Sequence, residues 1–213
     1  MNIIIIGPQG SGKGTQAELI AEHYDLLHIE SGEILRDLAK SNKRIDKMVD
    51  SGAIVPDKET LKYISNYINE RKWGYDNIIF DGYPRKRSQY KLLTSWLEKK
   101  GMQIDLVIYL EIDDKEAVRR LSARRVCEKC GEVYNLITKP PKNKLKCRCG
   151  GKLIQRDDDE PRIIQKRLGT FHKRTEPILK LIKKDGTLFK VDGERPIEVI
   201  FDEIVSVVDK HVK

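Results

Sequence analysis

The sequence "NIIIIGPQGSGKGT", residues 2–15, joins an apolar run directly to a glycine-rich loop that contains a lysine. The isoleucines are typical of a strand buried on both faces, and the text after the loop predicts a helix from Lys13 to Tyr24. The helix N-terminus carries a partial positive charge and Lys13 a full one, so the segment predicts a phosphate-binding site. Three glycines permit the tight backbone path that directs N–H groups at phosphate oxygens: Gly10, Gly12 and Gly14.

The loop departs at one position from the phosphate-loop motif, which places Ser or Thr directly after the lysine. Gly14 occupies that position and Thr15 follows it. Further along, the apolar strand "NIIFD" ends at Asp81, where a carboxylate would lie near a Mg²⁺ ion that neutralises phosphates. Two alternatives stay open: a glycine-rich turn without a ligand, and an aspartate that only ends its strand.

Apolar strands alternate with helical segments along most of the chain, which predicts an α/β fold with a parallel sheet covered by helices on both faces. Ser31 and Asp57 are expected to cap the second and third helices. The predicted strands are 2–6, 26–29, 77–81, 104–112 and 187–191. The predicted helices are 13–24, 31–41, 56–72, one that stops at Gly101, 114–125, 160–184 and 196–211.

Residues 126–156 break this alternation and predict a small separate lobe. They hold four cysteines, as Cys127-x₂-Cys130 and, sixteen residues later, Cys147-x-Cys149. Four thiolates bind zinc tetrahedrally and leave no open coordination position, so the pattern favours a structural metal site over a catalytic one. The tight C-x-C pair strains that site, and another thiophilic metal including iron, a disulfide or free thiols remain alternatives.

The composition sets limits on the function. A chain of 213 residues is long enough for one sizeable core, and it has no run of eighteen apolar residues to span a membrane. Clustered cysteines fit a reducing compartment, so we expect a cytoplasmic protein. The net charge of +8 suits a nucleotide or nucleic acid as ligand, or a solvated lysine-rich surface. Charged residues make up 35% of the chain, a weak indication of a warm-growing source.

Six arginines could surround bound phosphates. Their planar guanidinium groups suit bidentate phosphate contacts, and phosphoryl transfer depends on such positioning and charge stabilisation. Any single one could equally be a solvated surface residue. Arg36 follows Ser31 by about one turn, Arg85 follows the third strand, Arg120 and Arg124 are expected on one helix face, and Arg156 and Arg167 flank the acidic segment "RDDDEP".

Together these motifs resemble the adenylate kinase family, in its long type with a metal-bearing lid. The resemblance covers nearly the whole chain and rests on "GPQGSGKGT", "SGEILR", "DGYPRKRSQ", "RRVCEKCGEVYN", "QRDDDEP" and "VDGERP". It implies reversible, Mg²⁺-dependent transfer between ATP and AMP that yields two ADP. It also implies a P-loop fold with a five-stranded parallel sheet, made of a core (1–29, 56–122 and 159–213), an AMP-binding lobe (30–55) and a zinc-ribbon lid (123–158).

The resemblance further implies a role for individual residues. ATP would be held by Gly10, Ser11, Gly12, Lys13, Gly14, Thr15, Arg120, Arg124, Val133, Tyr134 and the backbone around Arg195. AMP would be held by Ser31, Gly32, Arg36, Ala53, Ile54, Val55, Gly82, Tyr83, Pro84, Arg85, Gln89, Arg156 and Arg167, with Gln89 at the adenine edge and the Tyr83 side chain packing. The catalytic set would be Lys13, Arg85, Arg124, Arg156, Asp158 and Arg167, with Asp158 helping to set the closed lid.

Three features depart from the family pattern: a shorter AMP lobe, Ser31 where Thr is common, and C-x-C in place of C-x₂-C. The expected partners are ATP, AMP and ADP, without nucleic acid or membrane, in a monomer. Two rival functions remain. A zinc-ribbon protein that binds nucleic acid would use Lys139, Lys142, Lys144, Lys146 and Arg148, but offers only Tyr134 for stacking. A kinase for another nucleoside monophosphate is disfavoured by the large lid.

Overall fold

The computed structural model describes residues 1–50, 55–143 and 146–211. Ala53, Ile54 and Lys144, which the sequence analysis singles out, lie outside these ranges. In the described residues the strands, in chain order, are β1 (Asn2–Ile6), β2 (Leu27–Glu30), β3 (Ile78–Asp81), β4 (Leu106–Glu111), β5 (Arg124–Cys127), β6 (Val133–Asn135), β7 (Leu153–Ile154) and β8 (Leu188–Asp192).

Five of these strands form one parallel sheet in the order β2-β3-β1-β4-β8, which confirms the predicted fold class. The strand before the glycine-rich loop is central and fully buried, as its isoleucines predict. Its alternate side chains face opposite layers. Ile4 and Ile6 pack in one apolar cluster with Phe80, whereas Ile3 and Ile5 pack in another. Because the five strands are parallel, their carboxyl ends meet at one edge of the sheet.

Helices cover both faces of the sheet. They are α1 (Lys13–Tyr24), α2 (Ser31–Ala39), α3 (Lys43–Asp50), α4 (Asp57–Glu70), α5 (Arg87–Glu98), α6 (Asp114–Ser122), α7 (Pro161–Thr170), α8 (Glu176–Asp185) and α9 (Ile197–His211). α7 and α8 are joined by a π-helical turn (Phe171–Thr175), so the single helix predicted for 160–184 has a break in its hydrogen-bond pattern. Among the described residues, no helix is both long enough and apolar enough to cross a membrane.

Three local predictions were wrong. Ser31 and Asp57 do not cap their helices: each is the first helical residue, and the caps are Glu30 and Pro56, which make no side-chain cap bond. Arg124 does not share a helix face with Arg120, because α6 ends at Ser122 and Arg124 begins β5. The chain leaves the helix where the strand pairs with its neighbours in a separate sheet, a tertiary contact that helical spacing does not reveal.

The small lobe contains a three-stranded antiparallel sheet in the order β6-β5-β7. Its inner face forms a cluster of four buried residues: Cys127, Tyr134, Cys147 and Leu153. The lobe therefore has its own small core, outside the two clusters that pack on the main sheet.

His172, in the π-helical turn, links two helices by its side chain. Its Nδ1 lies 2.8 Å from Glu176 Oε2 on α8, and its Nε2 lies 2.9 Å from Asp114 Oδ1 on α6. Ionised carboxylates only accept hydrogen bonds, so both contacts form together only when both ring nitrogens carry protons. Hydrogen bonds to Glu176 and Asp114 accordingly raise the pKa of His172. This bridge joins the start of α6 to the helical segment that follows the lobe.

We expect the His172 bridge to stabilise the fold in a pH-dependent way. A raised pKa gives stability that is complete below the unfolded-state pKa of about 6.5 and is lost as pH rises through the folded-state pKa. His172→Gln should therefore lower the melting temperature most at mildly acidic pH, and the difference from the unmodified protein should shrink as pH rises. Thermal unfolding followed by circular dichroism from pH 5.5 to 9 measures this.

His23→Gln is the matched control, because the His23 ring contacts the rings of Tyr24 and Phe201 rather than carboxylates. Asp114→Asn should remove only part of this pH-dependent stabilisation, because the contact between His172 and Glu176 remains. A His172→Gln effect that stays constant across the pH range would contradict the bridge.

Candidate active site

The glycine-rich loop connects β1 directly to α1, and its glycines are subject to different backbone and steric constraints. Gly10 and Gly12 adopt φ of 87° and 90°, which side chains rarely tolerate. A methyl group at Gly7 would lie 2.5 Å from Ser11 Oγ and 2.6 Å from Leu110 O, so the loop packs tightly against its own turn and β4. Gly14 differs from the expectation. It needs no special φ and lies in the first turn of α1, 3.6 Å from Asp81 Oδ2 when a Cβ is placed there.

Lys13 folds back over the loop that precedes it. Its Nζ donates hydrogen bonds of 2.8 Å to the carbonyl oxygens of Gly7 and Pro8. Burial, together with the positive charges of Arg85, Arg167 and Arg124, lowers the pKa of Lys13 to about 8, although Asp81 acts in the opposite direction. These groups therefore lie close enough to act on one another, and a bound polyanion would relieve their repulsion.

The arginines on the lobe side of the cleft share two carboxylates. Arg156 donates to both oxygens of Asp158, at 2.9 and 2.8 Å, and Arg167 lies 3.1 Å from the same carboxylate. Burial lowers the pKa of Arg167 to about 10 and also lowers the pKa of Arg156. Burial raises the pKa of Asp158, but Arg167, Arg156 and Arg124 outweigh it and leave that pKa below its ordinary value.

Arg124 makes the most buried ion pair of the site. Its Nε and Nη2 donate to the two oxygens of Asp159 at 2.7 and 2.5 Å, and the Asp159 side chain is 0% exposed. Arg167 Nη1 lies 3.4 Å from Asp159 and donates to the Asp158 carbonyl at 2.9 Å. Asp159 thus joins β5, at the start of the lobe, to α7, where the lobe ends.

A second group of side chains lies where β2 and β3 end, on the other side of Lys13. Arg85 Nε donates to the Gly82 carbonyl at 2.7 Å, and the Arg85 backbone N–H donates to Gln89 Oε1 at 2.7 Å. Ser31 is buried, with its Oγ 3.0 Å from a Cβ placed at Gly82. Four further predicted residues of this group are also buried: Val55, Tyr83, Pro84 and Gln89. The Tyr83 side chain packs in the apolar cluster that contains Phe80, as expected.

Not every predicted residue points into the cleft. The Arg120 guanidinium donates hydrogen bonds to the Glu116 carboxylate and to the carbonyls of Gly193 and Glu194, so it holds the loop after β8. Arg195 pairs its side chain with Asp192 and Glu203, which leaves its backbone for any ligand contact. Val133 is exposed, whereas Tyr134 is buried in the lobe.

The four cysteines converge as the sequence predicts. Their sulfurs all lie within 4.8 Å of one another, and three pairs are 3.4 or 3.5 Å apart. None of them forms a disulfide. Ligands about 2.3 Å from a tetrahedral zinc ion lie about 3.8 Å apart, so the observed spacing suits four thiolates around one metal. The Tyr134 hydroxyl lies 3.5 Å from Cys147 Sγ, and its hydrogen bond lowers the pKa of that thiol.

Two carboxylates of the site were missed by sequence reasoning: Asp159 and Glu30. Asp159 is the last of three consecutive aspartates, and only burial distinguishes it from its neighbours. Glu30 pairs with Arg36 at 2.9 Å at the end of β2. Its position at the carboxyl end of a parallel strand was the available signal, because ligands of open α/β sheets bind at that edge.

The arrangement therefore places six cations around one cleft and pairs them with only a few acids. Lys13 and the glycine-rich loop suit a chain of phosphates at the N-terminus of α1. Arg36 and Arg85 offer a second anion site at the ends of β2 and β3. Arg124 and Arg167 lie near enough to Lys13 to lower its pKa, and Arg156 shares the Asp158 carboxylate with Arg167. Two anionic groups bound at these two places would be brought together with strong charge stabilisation.

Comparison with known proteins agrees with this arrangement. The family model for adenylate kinase matches residues 5–187. The chain is 37% identical to the adenylate kinase of Petrotoga mobilis over 97% of both chains. It is 40% identical to that of Pyrococcus abyssi, over 98% of this chain and 96% of the relative. It is also 40% identical to that of Methanothrix thermoacetophila, over 99% of both chains.

The buried pair between Arg124 and Asp159 should be important for stability. Asp159→Asn preserves shape but leaves the Arg124 guanidinium without its charged partner. Loss of one partner of a buried pair costs about 3 kcal/mol, which lowers the melting temperature by roughly 6 °C in a chain of this size. Differential scanning calorimetry measures the change. Asp157→Asn is the control, because Asp157 is exposed in the same run; equal shifts for both variants would refute the assignment.

Proposed function

The chain belongs to the adenylate kinase family, and from this we infer that it catalyses reversible transfer of a phosphoryl group from ATP to AMP, giving two ADP. The observation that carries this function is the convergence of Lys13 with Arg85, Arg124 and Arg167 at the mouth of the phosphate loop. A single bound mononucleotide does not need so much positive charge, whereas two nucleotides with four phosphates between them do.

We propose that ATP binds along the glycine-rich loop. The N–H groups of the first turn of α1 have no partner within the helix, so they face the phosphates together with the helix dipole. Lys13 would leave the carbonyls of Gly7 and Pro8 to contact the transferred group. Its pKa near 8 favours this exchange, because phosphate oxygens stabilise the charged ammonium that burial opposes. Gly10–Thr15 would form the cradle, with backbone contacts from Val133 and the segment around Arg195.

AMP would bind at the ends of β2 and β3. Arg36 and Arg85 would hold its phosphate, and the buried Ser31 hydroxyl would assist beside Gly82. The Gln89 side chain accepts from the Arg85 backbone N–H, which fixes its orientation, and its amide group would contact the adenine edge. The predicted segment 53–55 would complete this site, and Val55 at its end is buried.

The transfer itself needs positioning and charge stabilisation more than proton chemistry. An oxygen of the AMP phosphate attacks the terminal phosphorus of ATP, the bond from that phosphorus to the bridging oxygen breaks, and ADP leaves. Arg124, Arg156 and Arg167 would stabilise the charge spread over the transferred group. Their mutual repulsion in the ligand-free cleft is offset by Asp158 and Asp159.

Mg²⁺ is the expected companion of ATP, and the residues fit it. Asp81 is 5% exposed and lies beside Gly14 at the first turn of α1, so its carboxylate faces the place where the phosphates would bind. We propose that Asp81 helps to hold this ion, which would neutralise phosphate charge when bound. Asp81 itself also offsets the charge of Lys13 in the ligand-free protein.

We propose that the chain works as three parts: a core (1–29, 56–122 and 159–213), an AMP lobe (30–55) and a lid (123–158). The lid would close over ATP to exclude water, because water competes with AMP as a phosphoryl acceptor. The boundaries coincide with the chain entering the separate sheet at Arg124 and leaving it before α7. Asp158, which pairs with Arg156 within the lid and with Arg167 across this boundary, would help to set the closed position.

For the four-cysteine centre we propose a structural zinc ion. Four thiolates leave no open coordination position for catalysis, and their spacing suits a tetrahedral ion. A lobe of roughly thirty residues is too small to fold around its own apolar core alone, so metal ligation would supply folding energy. The nucleic-acid alternative has less support, since Tyr134 points into the lobe core and Glu132 pairs with Lys139 and Arg148.

We also propose a cytoplasmic monomer. Clustered cysteines without a disulfide suit a reducing compartment. AMP is the preferred acceptor in this proposal, although another nucleoside monophosphate is the nearest alternative.

The reaction is tested by incubating the purified chain with ATP, Mg²⁺ and one acceptor at a time: AMP, CMP, UMP or GMP. We expect ADP to form rapidly with AMP and at most slowly with the other three. Lys13→Ala should lower kcat by at least 100-fold, because Lys13 would contact the transferred group. Lys210→Ala, in α9 away from the cleft, is the control for loss of a lysine. Absence of ADP with AMP, or better turnover with another acceptor, would refute the assignment.

Removal of metal should lower stability without abolishing catalysis. Metal analysis of the purified chain should find one zinc per molecule. After chelation under reducing conditions, the melting temperature should fall, while ATP–AMP turnover at low temperature should stay within about threefold of the loaded protein. Cys147→Ser should act in the same direction. Complete loss of turnover in metal-free protein that circular dichroism shows to be folded would contradict a structural role.

A further inference from the structure

An acidic side chain lies inside the site that we assign to the phosphate of AMP. Glu30 ends β2, where it is paired in register with Asp81 of β3. Its Oε1 accepts a hydrogen bond of 2.9 Å from Arg36 Nη2. Both side chains are about one-third exposed, at 34% and 38%. A carboxylate is an unexpected neighbour in a pocket that must bind a dianion.

Glu30 also lies next to the second arginine of this site. A methyl group placed at Gly32 would lie 3.2 Å from Glu30 Oε1, 3.0 Å from Arg36 Nη1 and 3.7 Å from Arg85 Nη2. One carboxylate oxygen and two guanidinium groups therefore converge over the same glycine. The charge of Glu30 acts on Arg85 as well as on Arg36.

We propose that Glu30 takes the place of the acceptor's phosphate in the ligand-free protein and sets the affinity for AMP by competing with it. This proposal rests on the function assigned above, since it needs Arg36 and Arg85 to be the acceptor-phosphate site. Without an anion, Arg36 and Arg85 repel each other, and Glu30 neutralises part of that charge. When AMP binds, its phosphate displaces the carboxylate toward solvent.

The exchange is favourable because the two anions differ. A phosphate dianion offers three strong acceptor oxygens and more charge, so it engages two guanidinium groups better than one carboxylate does. Glu30 is partly exposed, and its carboxylate can regain water when it leaves. The competition has a modest effect, because exposed ion pairs contribute little to stability. It corresponds to a change of about two- to fivefold in affinity.

The test compares Glu30→Gln and Glu30→Ser with the unmodified enzyme. Both variants should lower KM for AMP by about two- to fivefold. KM for ATP and kcat should each stay within about 1.5-fold. A residue needed only for folding would change both substrates or kcat instead. Asp37→Asn is the matched control, since Asp37 on α2 forms an exposed ion pair with Lys40, the residue that follows this helix; it should leave KM for AMP unchanged.

Calorimetric binding without turnover separates this proposal from the enzyme assignment. Glu30→Gln should bind AMP more tightly than the unmodified chain does, but it should bind adenosine, which lacks the phosphate, equally well. If KM and Kd for AMP are unchanged or increased, Glu30 does not compete with the phosphate, and the proposal is wrong. If adenosine binding tightens as much as AMP binding, the effect is not at the phosphate, and the proposal is also wrong. Failure of the reaction itself would show instead as an unmodified chain that produces no ADP.

Discussion

Repulsion among like charges is the constraint on which the rest of this structure depends. Burial lowers the pKa of Lys13 most, the surrounding arginines lie close enough to contribute to that lowering, and nothing in a parallel sheet compensates for their repulsion by itself. The acids that do so are placed individually. Asp158 forms ion pairs with Arg156 and Arg167, Asp159 with Arg124, and Glu30 with Arg36. Each acid lies close to a boundary between the core and a lobe in the three-part division that we propose.

The same charges connect folding with ligand binding. Internal carboxylates pair with the arginines, and in the proposed complex with nucleotides the phosphates would take over part of that role. The two kinds of carboxylate differ in burial. Asp159 is fully buried and is suited to remain with Arg124, whereas Glu30 and Asp158 are about one-third exposed and can exchange their partners for a ligand. Burial thus separates the permanent ion pairs from the exchangeable ones.

The four-cysteine lobe follows a different physical principle. Among the described residues its core comprises four buried side chains, two of which are cysteines, so apolar burial contributes little. A metal centre would hold together the chain segments around Cys127–Cys130 and Cys147–Cys149, whatever position the lobe takes relative to the main sheet. Ligation would therefore provide rigidity that a lobe of this size lacks, and Tyr134 adds to it by bonding Cys147 rather than facing solvent.

Local pattern by itself determined the parallel sheet, the phosphate loop and the four-thiolate cluster. Each of these depends on residues close in sequence: four consecutive isoleucines, glycines spaced around Lys13, and paired cysteines. Family resemblance to adenylate kinase then added the assignment of arginines to two nucleotides. The tertiary structure decided what spacing could not. In the structure Arg124 lies in β5 rather than in the preceding helix, Arg120 donates to carbonyl groups, and Asp159 is the buried member of three adjacent aspartates. Ion pairing depends on which elements meet in space, and one-dimensional periodicity describes only the face of a single element.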